Sequence, residues 1–217
     1  MSKSEKCIIF DLDGTLIDSR QDLAAAVNMM LCDLGIAPIP FDTAVSYLGN
    51  GARRLVERAV GGSCTALDKA VTLFKEHYQR RMLDKTVLYP DVLEGLSMLR
   101  SMNWKLALIT NKPETHSREI LRHFNLEQYF PVLIGGDGGF PLKPGPASAG
   151  FILERTYSKP ENSWIVGDNY TDMSCGRKCG LKRCFARYGF GNLRDESFDI
   201  EIFSFYELCD FLKNRDF

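Results

Sequence analysis

The chain has 217 residues, with 27 Lys and Arg against 28 Asp and Glu, a net charge of −1. That near-balance leaves no electrostatic footprint for nucleic acid or an anionic membrane as partner. A hydrophobic share of 45% and a charged share of 25% fit a globular protein, and the length suits one large domain or a core plus a modest second one. No apolar run is long enough to span a bilayer. The polar start, Met1 to Lys6, leads straight into a strand and lacks the longer apolar stretch of a secretory signal. The expectation is a cytoplasmic protein, a monomer or weak dimer.

In chain order, Lys6 to Phe10 reads as a short, fully buried strand. Asp18 and Ser19 can cap a helix running to about Leu34, ended by Gly35 and the Pro38-Ile39-Pro40 segment. Three more helices are expected near Thr43 to Leu48, Gly51 to Val60 and Thr65 to Leu83, with no strand pattern between Asp18 and Lys85. Beyond that point strands and helices alternate. Helix Val92 to Met102 precedes strand Lys105 to Ile109. Helix Glu114 to Phe124 precedes strand Val132 to Ile134. Helix Pro146 to Tyr157 precedes strand Trp164 to Gly167. Helix Tyr170 to Cys179 precedes strand Leu181 to Ala186, and a last strand near Ile200 to Phe203 precedes a terminal helix.

This alternation predicts an α/β fold, a Rossmann-like, doubly wound parallel sheet. The strands are near-continuous apolar runs, as expected when both sheet faces are covered. Residues 1–17 and 86–217 are expected to form this core, and residues 18–85 an inserted, all-helical cap domain. Of the seven cysteines, Cys175, Cys179 and Cys184 form the only cluster. Cys175 and Cys179 would share a helix face, but no His or second Cys pair completes a tetrahedral metal set. They read as reduced, small hydrophobes. His77, His116 and His123 fall on predicted helices away from the strand ends and read as surface or packing residues.

In open parallel sheets, ligands bind beyond the carboxyl ends of the strands, so the residues after each strand carry the functional reading. After the first come Asp11 and Asp13, whose spacing puts both carboxylates on one face of an extended segment. Buried charge at that point is most simply offset by a bound cation. After the second come Thr110, Asn111 and Lys112. After the third comes the glycine-rich run 135–139, then Lys143-Pro144-Gly145-Pro146. After the fourth come Gly167, Asp168, Asn169 and, one helical turn on, Asp172.

The chemistry suited to this set is phosphoryl transfer. Mg²⁺ favours a few carboxylate oxygens, here from Asp11 and Asp168, with a backbone carbonyl near Asp13 as a third ligand and Asp172 holding a metal-bound water. Asp11 is the candidate nucleophile and Asp13 the candidate acid and base. Thr110 and Lys143 are placed to hold non-bridging phosphate oxygens, and backbone N–H groups near Leu12 and Asn111 add to that cradle. In the helical insertion, Gly49-Asn50-Gly51 precedes a helix and can offer N–H groups to a substrate carboxylate. Arg53 and Arg54 are candidates to clamp it.

Taken together, Asp11-Leu12-Asp13-Gly14-Thr15, Thr110, Lys143, and Gly167-Asp168 with Asp172 resemble the four motifs of the haloacid dehalogenase superfamily, in order and across the whole chain. The resemblance implies a Rossmannoid core, a C1-type helical cap, Mg²⁺ dependence and an aspartyl-phosphate intermediate on Asp11. Within the superfamily, Leu23 to Asn28, Leu48 to Ala52, Leu55 to Ala59, Ile109 to Pro113 and Ile134 to Asp137 are similar to the bacterial phosphoglycolate phosphatases. That match implies hydrolysis of a small phosphomonoester, 2-phosphoglycolate, with the cap segment Gly49, Asn50, Gly51 and Arg53, and Asn111, on the substrate. Two departures stand out: the Arg53-Arg54 pair, and Asn169 in place of the small hydroxyl residue usual after the metal aspartate. Rival readings are a sugar-phosphate phosphatase or phosphomutase, a metal-free dehalogenase and a phospho-accepting receiver-like module.

Overall fold

A computed structural model describes residues 5–61 and 66–214. Tertiary contacts divide the chain into two units, residues 1–17 with 88–217, and residues 18–87.

The first unit is built on a six-stranded sheet. Strands β1 (Cys7–Phe10), β4 (Lys105–Ile109), β5 (Val132–Ile134), β6 (Trp164–Gly167), β7 (Lys182–Ala186) and β8 (Ile200–Ile202) lie in the order β5-β4-β1-β6-β7-β8. All the pairings are parallel. The order reverses at β1, which pairs with β4 on one side and β6 on the other. Such a switch point opens a crevice at the carboxyl ends of the strands. All four β1 residues are fully buried, because helices cover both faces. On one face Ile9, Ala107, Ile109 and Ile165 pack with Ile152, Leu153 and Cys175. On the other, the Phe10 ring stacks on Phe205 at 5.7 Å and meets Phe130 edge-on at 6.2 Å.

The connecting helices are α5 (Val92–Ser101), α6 (Glu114–His123), α7 (Ala147–Thr156), α8 (Tyr170–Cys179) and α9 (Phe205–Lys213). The first four match the sequence expectation to within one residue at each end, and α9 is the terminal helix expected without bounds. The small differences have local causes: Pro146 caps α7 rather than entering it, and Tyr157 leaves it with φ +50°.

The second unit holds α1 (Arg20–Asp33), α2 (Phe41–Ser46), α3 (Ala52–Val60) and α4 (Leu67–Arg81). α1 buries Leu23, Val27, Met30 and Leu31, and α4 buries Ala70, Phe74 and Tyr78, each a one-sided helical stripe. α2 begins at Phe41, earlier than the sequence predicts, because Pro40 presets the entry. The expected start of the fourth helix, Thr65, lies outside the described residues. Two-residue strands β2 (Ile17–Asp18) and β3 (Val87–Leu88) pair where the chain passes between the units. They are too short to carry a periodic signal, and sequence reading missed them. Asp22 is buried and accepts from Lys85 N, Thr86 N and Thr86 Oγ1, fixing the segment that leads into β3. No helix among the described residues is long and apolar enough to cross a membrane.

Candidate active site

At the carboxyl end of β1, Asp11 N still donates to Val166 O at 2.9 Å, so the carboxylate starts from a fixed backbone. The chain then turns tightly: Leu16 N and Ile17 N both donate to Leu12 O, and Gly14 N to Ile17 O. Gly14 sits at φ +83°, and a Cβ there would overlap the Asp168 carboxylate. The glycine is therefore required twice, for its backbone angle and for the space that Asp168 fills. Gly14→Ala is expected to cost at least about 1–2 kcal/mol and to displace Asp168; urea unfolding and a divalent-cation titration of the variant check both effects.

Asp168 extends from the end of β6. Its Oδ2 accepts from Phe190 N at 2.9 Å and Gly191 N at 2.6 Å, which aims the other oxygen elsewhere. Asn169 caps α8 in a reciprocal box with Asp172. Its side chain accepts from Thr171 N, while Asp172 Oδ2 accepts from Asn169 N at 3.1 Å. The Asn169 departure noted in the sequence is thus a working helix cap.

Asp11, Asp168 and Asp172 are all buried, and one carboxylate oxygen from each lies within 4.8 Å of the others. Lys143 joins them. Its Nζ donates to Asp172 Oδ1 at 2.6 Å and to Ile109 O at 2.8 Å, and lies 2.8 Å from Asp11 Oδ1. Three acceptors thus face the three N–H bonds of one ammonium. Three carboxylates against one ammonium leave excess negative charge in a dry site. Burial, partly opposed by Lys143, pushes Asp11 up to about 7. Burial and the neighbouring carboxylates likewise hold Asp168 well above the usual carboxylate range. Burial would lower Lys143, but the charges of Asp11 and Asp172 outweigh it and hold the ammonium above its ordinary value. A hard divalent cation with oxygen ligands fits this donor set, since it supplies the missing positive charge.

Thr110 is buried at the end of β4, and its Oγ1 accepts from Lys112 N at 3.2 Å. The Asp13 carboxylate is held by Lys112 Nζ at 2.6 Å. Sequence reasoning placed Lys112 at the strand end but gave it no role. The available signal was its position two residues after Thr110, on the same side of an extended chain. Asp13 is not among the three clustered side chains.

Asn111, expected on the substrate, has its amide on the Lys143 backbone: Oδ1 accepts from Lys143 N at 2.8 Å and Nδ2 donates to Lys143 O at 3.0 Å. The run after β5 serves the same loop. Gly136 N donates to Lys112 O, Asp137 Oδ1 accepts from Glu114 N at the start of α6, and a Cβ on Gly135 or Gly136 would strike the backbone of Glu114 or Asn111. This motif therefore braces residues 111–114.

Gly49, Asn50, Gly51 and Arg53 lie in the helical unit. Gly49 and Gly51 have φ of +96° and +84°, and Gly51 is the N-cap of α3. Asn50 Oδ1 accepts from Arg58, and Arg53 and Arg54 pair with Asp68 and Glu57 on the exposed surface.

The doubly wound sheet and its acidic site define a hydrolase class. The profile of the haloacid dehalogenase-like hydrolases matches residues 8–186. A phosphoglycolate phosphatase of Psychrobacter arcticus is 37% identical over 224 residues, covering 96% of each chain. One of Aquifex aeolicus is 34% identical over 97% of this chain and 98% of its own. The crystal structure of a predicted phosphoglycolate phosphatase from Haemophilus somnus superposes with a TM-score of 0.88 at 26% identity, covering 98% of this chain and 99% of that one. The chain belongs to the haloacid dehalogenase-like hydrolases, and within them it is a phosphoric monoester hydrolase.

Proposed function

We propose that this enzyme is a Mg²⁺-dependent phosphatase that hydrolyses 2-phosphoglycolate through an aspartyl-phosphate on Asp11. The observation that carries the reading is the Lys143 ammonium lodged between Asp11 and Asp172, beside Asp168. Near-full-length similarity to proteins named phosphoglycolate phosphatase supports the substrate.

Asp11 attacks phosphorus as the ester P–O bond breaks. Asp13 gives its proton to the leaving oxygen, then takes one from the water that attacks the aspartyl-phosphate. Phosphate leaves and the Asp11 carboxylate is restored. Lys112 holds one oxygen of Asp13 and so fixes the group that exchanges the proton. Thr110, whose Oγ1 already accepts from Lys112 N, has its hydroxyl proton for a phosphate oxygen. Lys143 offsets repulsion between an anionic nucleophile and an anionic substrate. Asp11, Asp168 and the backbone carbonyl of Asp13 would hold Mg²⁺, with Asp172 supporting a bound water. The ion supplies charge neutralisation at the transferring phosphoryl group. We assign residues 18–85 as the cap, with Gly49, Asn50, Gly51 and Arg53 reading the substrate carboxylate.

Phosphate release with Mg²⁺ across 2-phosphoglycolate, hexose phosphates, nucleotides and pyrophosphate tests the substrate. The highest kcat/KM is expected on 2-phosphoglycolate. Preference for a hexose phosphate overturns that assignment, and isomerisation without free phosphate marks a mutase.

Metal affinity should depend on pH with a definite sign. Asp11 is raised to about 7, so below that value a proton competes with the cation for its carboxylate. Mg²⁺ affinity, measured by calorimetry at pH 6 and pH 8, is expected to be weaker at the lower pH. Equal affinities would contradict the assignment of Asp11 as a ligand.

A further inference from the structure

Asp172, which holds Lys143, begins a stripe along α8. One and two turns further on come Cys175, Lys178 and Cys179. These side chains meet the segment after Lys143 residue by residue. Lys178 Nζ donates to Pro144 O at 3.0 Å, Cys175 Sγ to Gly145 O at 3.4 Å, and Cys179 Sγ to Pro146 O at 3.3 Å. Together with the bond from Lys143 to Asp172, one helix face holds residues 143–146 in sequence. Two of those anchors are thiols. Cys175 is buried and Cys179 is half-buried, so solvent reaches the outer thiol of the pair.

We propose that Cys179 is a thiol-modification site at which a small disulfide turns the enzyme down, by releasing the 144–146 segment from α8 and so displacing Lys143. The proposal rests on the reading of Lys143 as a catalytic group. In the reaction the Cys179 thiol gives up its proton, and the thiolate attacks one sulfur of R–S–S–R. A Cys179–S–S–R bond forms, the original S–S bond breaks, and the departing RS⁻ takes up the proton. The adduct has no S–H to donate to Pro146 O, and it places bulk between helix and segment.

The local chemistry favours this site. The Cys175 thiol, as a donor toward Cys179, holds the Cys179 thiol below its ordinary value, which favours the attacking thiolate once the Cys179 proton leaves Pro146 O. Cys175 is itself held above the ordinary thiol value by Cys179 and by burial. Burial likewise raises Cys7, Cys184 and Cys209. Cys32 is exposed on α1, in the other unit, and so serves as an internal comparison. A shift of about 1 Å in a positioned group can cost about a hundredfold in rate, so a modest displacement of Lys143 suffices.

The test treats the reduced full-length enzyme with glutathione disulfide. It follows peptide masses, the initial rate of phosphate release, and amide hydrogen exchange across residues 143–150. The expected result is an adduct on Cys179, a rate lower by about tenfold or more, faster exchange in that segment, and reversal of all three by dithiothreitol. Cys179→Ser, whose hydroxyl can still donate to Pro146 O, is expected to lose the sensitivity, and Cys179→Ala provides the same comparison if the serine variant folds poorly. A Cys179 adduct with unchanged rate and exchange overturns the proposal. So does modification confined to other cysteines, or inhibition that persists in the Cys179 variants. If the reduced enzyme releases no phosphate from any phosphomonoester, the catalytic reading fails; adduct mapping and exchange still decide whether Cys179 controls the segment.

Discussion

Asp11→Asn is expected to lower turnover by at least about a thousandfold, the scale on which loss of a nucleophile is felt, without unfolding the protein. The amide keeps the shape of the side chain and cannot form the acyl phosphate. Its effect on stability has a sign that separates chemistry from folding. Asp11 is raised to about 7 by burial, against the pull of Lys143. The native state therefore holds its proton more tightly than the unfolded chain does. Between about pH 4 and pH 7, stability declines as pH rises, because the unfolded chain ionises this group and the folded one resists. Above about 7 the folded protein carries the full cost of an ionised, buried Asp11. Replacing it by a neutral amide removes that cost, so the melting temperature of the metal-free variant at pH 8 is expected to equal or exceed the parent's. A dead enzyme that is at least as stable is the signature of a site built for function at the expense of stability. A variant that is inactive and markedly less stable would instead give Asp11 a structural role.

Removing Lys143 should have the opposite effect on stability. Its side chain is 2% exposed, and its ammonium faces Asp11, Asp172 and the Ile109 carbonyl. Lys143→Ala leaves buried carboxylates without their cation and is expected to cost about 3–5 kcal/mol in metal-free buffer, together with most of the activity. Urea unfolding measures the first and phosphate release the second. Two further results should follow. Mg²⁺ should narrow the stability gap, because the ion restores positive charge to the same cluster. Adding Asp172→Asn to Lys143→Ala should recover part of the lost stability, because the charge left unpaired is then removed; the two changes will not add. Simple additivity would mean that the pair does not act as one unit.

The fold, and the gathering of Asp11, Asp168, Asp172 and Lys143 at one sheet edge, were legible in the sequence because the signals were local and strong. β1, β4, β5 and β6 are short apolar runs, each ending in polar residues, and a parallel sheet brings such ends to one edge whatever the loops do. That places Asp11, Thr110, Lys143 and Asp168 together without knowledge of any side-chain contact. What was not legible depends on side-chain direction in three dimensions. Asn111 looks like a ligand-facing group beside Thr110, yet its amide matches the N–H and C=O of Lys143, a residue distant in sequence. Lys112 reads as an ordinary lysine until its ammonium is seen on Asp13. The glycines at 135 and 136 read as part of a turn-rich loop needing positive φ; of that run only Gly139 has one, and at 135 and 136 the backbone of the neighbouring loop occupies the space their side chains would need. The Cys175–Cys179 pair gives no metal signal, and its contact with the Lys143 segment follows from how α7 and α8 pack, which no periodicity reveals.

The most direct test of the proposed chemistry is acid quenching of the enzyme during turnover of 2-phosphoglycolate with Mg²⁺, followed by peptide mass analysis. One phosphoryl group on the peptide containing Asp11, absent from Asp11→Asn, is the expected result. Steady turnover with the label on another residue, or a label that survives in the Asn variant, would contradict it.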